Sequence, residues 1–203
     1  MLYIDLYGKE YSLLDKSIML HKPTYEIFEN IISEEESQIL SKWVLENNKS
    51  SVFINTTHPG TIRRTTRTNV IQNIKYPKTA YDIQLRINNI LKKYFNLDSL
   101  IYSPKYTDGM YFSIGFRGDY CEPHIDPIYI KNTITYHFNI ILSEYENGKL
   151  IIDNDIVELN KLDGILYPVS ELKHSTTKLT GTNPRIFCCF GYCIPLPNNK
   201  ILI

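Results

Sequence analysis

Residues 133–142 read Thr-Ile-Thr-Tyr-His-Phe-Asn-Ile-Ile-Leu. β-Branched and aromatic residues crowd this run, and such side chains suit a pleated, half-buried strand. Side chains two apart on a strand share a face. If Ile141 turns inward, His137 and Asn139 turn inward with it. Polar groups inside a fold need partners. A bound molecule or a neighbouring side chain would each serve.

The same kind of run recurs on both sides. Residues 110–116, 149–152, 156–159, 164–167 and 185–194 are short apolar or alternating stretches punctuated by Gly, Asn, Asp and Pro. Two helices are predicted before them. Ser33-Glu34-Glu35-Glu36 has the capping-box pattern, and Ile39, Leu40, Trp43 and Val44 follow as one apolar stripe. A second helix is predicted from about residue 78 to 95, with Ile83, Ile87, Ile90, Leu91 and Tyr94 on one face. Residues 61–71 alternate like a strand. The expected architecture is mainly β with packed helices: a double-stranded β-helix (jelly roll, cupin-like) supported by two long helices. It forms one domain over 1–203, with N-terminal strands in 1–30, helical support in 31–96 and a jelly-roll core in 108–194.

At 203 residues the chain can bury one sizeable core. Its formal net charge is +0, which speaks against a nucleic-acid or membrane-surface partner despite the local cluster Arg63, Arg64 and Arg67. No stretch approaches the ~18 apolar residues of a membrane helix. The opening Met1-Leu2-Tyr3-Ile4-Asp5 lacks a basic leader, so a cytoplasmic protein is expected. Cys121, Cys188, Cys189 and Cys193 form no CxxC pair and are read as reduced core thiols.

The chemistry concentrates at His124-Ile125-Asp126. An imidazole and a carboxylate two apart on a strand can converge on one ion. Pro123 and Pro127 keep this segment extended rather than helical. His174, a strand–turn–strand passage downstream, can supply a third ligand. Two imidazoles and one carboxylate on one face of a metal leave positions open, as non-haem Fe(II) oxygenases require. A closed zinc site would fill its tetrahedron. Arg185 opens the apolar run Ile186-Phe187-Cys188-Cys189-Phe190. A buried cation there needs a partner, and a dicarboxylate matches the guanidinium fork. An Arg at a strand edge, reaching solvent, is the plainer alternative.

The order His124-x-Asp126, Asn147-Gly148-Lys149-Leu150, His174 and Arg185 resembles the 2-oxoglutarate/Fe(II) dioxygenase superfamily, and within it the prolyl-hydroxylase-like branch. The helix start at residues 31–36 and the Gly115–Tyr120 approach to the metal motif are similar too. The resemblance implies that His124, Asp126 and His174 hold Fe(II) and that Arg185 pairs with the far carboxylate of 2-oxoglutarate. Dioxygen would be the second cosubstrate, and a C–H bond would be hydroxylated. Asn139 and Tyr120 are candidate contacts to the cosubstrate or substrate. Asp126 argues for hydroxylation over halogenation, since halogenating members usually lack that carboxylate. Two departures stand out. Lys149 replaces the second Gly of Gly-Gly-x-Leu, and one additional residue separates Tyr120 from His124.

Three functions are compatible with this pattern. One is a hydroxylase of an unactivated C–H bond in an amino acid, peptide or protein side chain, with a prolyl side chain among the candidate targets, whose partner is a small molecule, peptide or protein. Another is a nucleic-acid-demethylating oxygenase. That class usually carries a second Arg six residues past the first, where this chain has Gly191. The third is a non-catalytic jelly-roll metal-binding protein.

Overall fold

Strand parity organises the molecule. On β7 (Met110–Gly115), β9 (Thr133–Ile141), β12 (Gly164–Pro168) and β14 (Arg185–Pro195), alternate side chains enter different compartments. Met110, Phe112, Ile114, Phe138, Ile140 and Leu166 join one core with Ile186, Cys188, Phe190, Tyr192 and Ile194. Their neighbours Tyr111, Ile141, Phe187 and Cys189 form another cluster. A chain with period two can do this only when the sheet is covered on both sides.

The computed structural model describes residues 2–4, 10–12, 24–55, 64–65 and 74–196. Between those named above lie β1 (Leu2–Ile4), β2 (Glu10–Ser12), β3 (Glu26–Phe28), α1 (Glu34–Asn47), β4 (Ile54–Asn55), β5 (Arg64–Thr65), α2 (Lys78–Phe95) and β6 (Ile101–Tyr102). The others are β8 (Cys121–His124), β10 (Leu150–Ile152), β11 (Asp155–Val157) and β13 (His174–Thr176). The large sheet runs β3-β12-β9-β14-β7-β5-β4, with β6 also pairing β14. The small sheet runs β11-β10-β13-β8, and every pairing in both is antiparallel. Two antiparallel sheets with helices covering one face make the expected jelly roll. The strand predicted over 61–71 falls mostly outside the described residues, as do His21, His58, Arg63 and Arg67.

Both helices pack on the large sheet. The α1 capping box forms: the Ser33 hydroxyl accepts from the Glu36 amide at 3.2 Å, and the Glu36 carboxylate accepts from the Ser33 amide at 2.8 Å. Its buried line is Ser37, Leu40 and Val44. Ile39, expected in the stripe, is instead 41% exposed. The reason is polar: Ser37 and Ser41 turn toward the sheet and donate to the Leu142 carbonyl at 2.8 and 2.9 Å. That rotation carries Ile39 outward. On α2, Ala80, Ile83, Ile87, Ile90 and Leu91 are buried. The Arg86 guanidinium grips both Glu36 oxygens at 2.9 and 3.0 Å, joining the helices. Burial works against ionisation of Glu36, but Arg86 and the Ser33 amide outweigh it and hold the carboxyl below its usual range.

All four cysteines are buried, and none is joined in a disulfide. Among the described residues, no helix is long and apolar enough to cross a membrane.

Candidate metal centre

β8 and β13 lie side by side, with His124 paired against His174. Their rings stand 4.3 Å apart between centroids. Asp126 follows the end of β8, fixed by its amide donating to the Val169 carbonyl at 2.8 Å. One ligand atom from each of His124, Asp126 and His174 lies within 4.8 Å of the others. His124 Nε2 and Asp126 Oδ1 are 3.7 Å apart.

The ring orientations suit a metal. His124 Nδ1 bonds the Glu122 carbonyl at 2.8 Å, and His174 Nδ1 bonds the Leu172 carbonyl at 3.0 Å. A carbonyl can only accept, so each Nδ1 carries a hydrogen, and in the neutral ring Nε2 is the nitrogen left with a lone pair. Backbone carbonyls two residues upstream thus set both tautomers, as outer partners of ligating histidines commonly do. Burial disfavours charge on His124, but the Cys121 thiol, the Glu122 carbonyl and Asp126 together lift its pKa above the ordinary value.

The additional residue before His124 has a structural outlet. His174 and Thr176 on β13 face His124 and Cys121 on β8, so two steps on one strand answer three on the other. That is a β-bulge, which absorbs the extra residue and re-aims the side chains beside it. Cys121 and His124 both reach the cavity as a result.

The cavity spans about 670 Å³ including its mouth. His124, Asp126 and His174 line it, as do Asn139 and Arg185. Arg185 is buried, donates to the Gly148 carbonyl, and lies 6.0 Å from the Tyr145 ring centroid and 5.6 Å from that of Phe187. Gly148 has φ +66, and a Cβ there would strike Leu179 at 2.6 Å. Glycine therefore holds the carbonyl that positions the guanidinium. Asn139 donates to the Tyr167 hydroxyl at 3.1 Å. Asn139 Oδ1 and Thr176 Oγ1 are buried on cavity-lining residues with no hydrogen-bond partner among the described residues. Such orphans suit a polar ligand.

The structure places Tyr120 elsewhere. It is not among the cavity-lining residues, and its ring lies 5.6 Å from Lys178 Nζ. Its neighbour Cys121, the first residue of β8, lines the cavity instead. The tyrosines that line the cavity are instead Tyr106, Tyr111, Tyr145 and Tyr167. Tyr111 and Tyr167 sit on predicted strands, so period two could have found them once one inward residue was known. Tyr106 comes from a loop and carried no pattern.

Sequence comparison finds no matching protein-family model and no matching curated protein. The viral collagen prolyl hydroxylase of Paramecium Bursaria Chlorella virus-1, solved with 2-oxoglutarate, superposes with TM-score 0.64 at 12% identity, covering 88% of this chain and 99% of that one. The fold is that of the 2-oxoglutarate/Fe(II) oxygenases. An oxidoreductase of the 2-oxoglutarate/Fe(II) oxygenase family from Burkholderia pseudomallei gives 0.65 at 12% identity, over 91% and 92% of the two chains. A prolyl hydroxylase from Trichoplax adhaerens, in complex with a peptide of hypoxia inducible factor, gives 0.61 at 13%, over 87% and 86%. The oxygenase fold is thus preserved at identities where few side chains are shared.

Proposed function

We propose that this chain is an Fe(II)- and 2-oxoglutarate-dependent oxygenase that hydroxylates a C–H bond of an amino acid, peptide or protein side chain. One observation carries the reading: His124, Asp126 and His174 converge within 4.8 Å on a cavity that also contains a buried arginine.

The residues fit the groups such a reaction needs. Two neutral imidazoles and a carboxylate form an open donor set suited to Fe(II). When bound, iron with 2-oxoglutarate and dioxygen supplies C–H oxidation coupled to loss of carbon dioxide. The chain's share is geometric and electrostatic. His124 and His174 present Nε2 because their Nδ1 hydrogens are committed to carbonyls. Arg185 offers its fork to the far carboxylate of the cosubstrate. Asn139 Oδ1 and Thr176 Oγ1 stand ready for polar groups of a ligand. Ile141, Leu159 and Phe187 line the same space with apolar surface. The peptide seen in the Trichoplax adhaerens hydroxylase supports a peptidyl target within this class.

The test is 2-oxoglutarate decarboxylation by the Fe(II)-reconstituted chain against a panel of amino acids and peptides. Turnover stimulated by at least one of them is expected. Asp126→Ala should abolish it, and Arg185→Ala should raise the KM for 2-oxoglutarate by about 100-fold, the loss of a charged pair worth roughly 3 kcal/mol. Full turnover in Asp126→Ala would overturn the assignment.

A further inference from the structure

The two oxygens of Asp126 have different neighbours. Oδ1 faces His124 Nε2 at 3.7 Å. Oδ2 lies 3.3 Å from Lys105 Nζ and 3.6 Å from His137 Nε2. The Lys105 side chain is only 11% exposed and that of Asp126 5%. Lys105 Nζ also stands 4.9 Å from the Tyr129 ring centroid and 5.5 Å from that of Tyr106. The Tyr106 hydroxyl meets His137 Nε2 at 2.9 Å. A small network therefore surrounds the oxygen that points away from the histidine ligand.

The segment that carries Lys105 is seated on β14. The Ser103 amide donates to the Gly191 carbonyl at 2.9 Å. A Cβ at position 191 would come within 2.7 Å of Tyr106 Cε2 and 3.0 Å of Ser103 Cβ. Glycine at this point lets the segment lie close to the strand, and that closeness delivers Lys105 and Tyr106 to the metal centre.

We propose that Lys105 is a positioning residue for Asp126: by holding Oδ2, it presents Oδ1 alone to the metal. The proposal rests on the metal-centre reading above. A carboxylate free to rotate can ligate through both oxygens and consume a coordination position that the cosubstrates need. An ammonium on the outer oxygen prevents this. It also keeps a buried carboxylate paired before any ion arrives, where an unpaired one would be costly. Simple charge neutralisation predicts the opposite effect on affinity. A lysine that only cancelled the charge of Asp126 would compete with the metal, and its removal would tighten metal binding. Removing an orienting partner weakens it, commonly by about 10–100-fold.

The experiment is calorimetric titration of the whole chain with Mn(II), using wild type, Lys105→Met, Lys105→Arg, Gly191→Ala and Asp126→Ala, with metal-free melting curves to confirm folding. Lys105→Met should weaken Mn(II) binding about 10–100-fold and Lys105→Arg should recover most of the loss. Gly191→Ala, which displaces Tyr106, should weaken it in the same direction by less. Unchanged or tighter binding in folded Lys105→Met overturns the proposal. If that variant fails to fold, wild-type affinity in Gly191→Ala overturns it instead. Wild-type affinity in Asp126→Ala would instead remove the metal-centre reading on which it stands.

Discussion

The two faces of the large sheet share their strands and little else. Toward the helices, β9 and β14 present Phe138, Ile140, Cys188, Phe190, Tyr192 and Ile194. Toward the cavity the same strands present His137, Asn139, Ile141, Arg185 and Phe187. The helix face is closed by apolar packing against α1 and α2. The cavity face carries an imidazole, an amide and a guanidinium, and one of its polar atoms, Asn139 Oδ1, has no partner among the described residues. A shift of one residue in register would exchange the two sets. The apolar face pins the register, and the pinned register aims the polar one.

That comparison can be broken from either side. The largest expected effect is on the helix face. Phe190→Ala should cost about 3–5 kcal/mol of stability, read by denaturant unfolding. Mn(II) affinity per folded molecule should stay near wild type. A selective loss of metal affinity with stability intact would show that the faces are not separable in this way. On the cavity face, Asn139→Leu should raise the KM for 2-oxoglutarate roughly fivefold, the worth of about one neutral hydrogen bond. Its melting temperature should move far less than that of Phe190→Ala; a comparable drop would make Asn139 a packing residue. The smallest effect belongs to the helix start. Ser33→Ala removes one half of the capping box and should cost about 1 kcal/mol, with cosubstrate KM unchanged.

Local rules were readable where the physics is local. The α1 cap depends on Ser33 and Glu36, three positions apart, and the bonds between them are present. The predicted span of α2 matches Lys78–Phe95, since its apolar face repeats at helical spacing. Ile39 departs from the expected stripe because two serines on the helix bond the Leu142 carbonyl just past β9, a contact that no helical period encodes. Tyr120, a candidate contact by sequence, does not line the cavity. A bulge opposite His174 and Thr176 resets alternation on β8, which no local pattern in the sequence announces.

His124, Asp126 and His174 could be grouped in advance because a metal demands a narrow set of donors, and few combinations in the chain offer one. Arg185 stood out because a cation leading an apolar run calls for an explanation. The outer layer is another matter. Lys105 and Tyr106 sit in a loop without periodicity, and only the close seat over Gly191 brings them to Asp126. Amino-acid order determined which side chains could bind a metal and which strand faces are apolar, since both follow from residue type and short-range spacing. The separation of the two Asp126 oxygens, the bulge and the shape of the cavity were decided by tertiary packing, because each depends on distant segments arriving at one point.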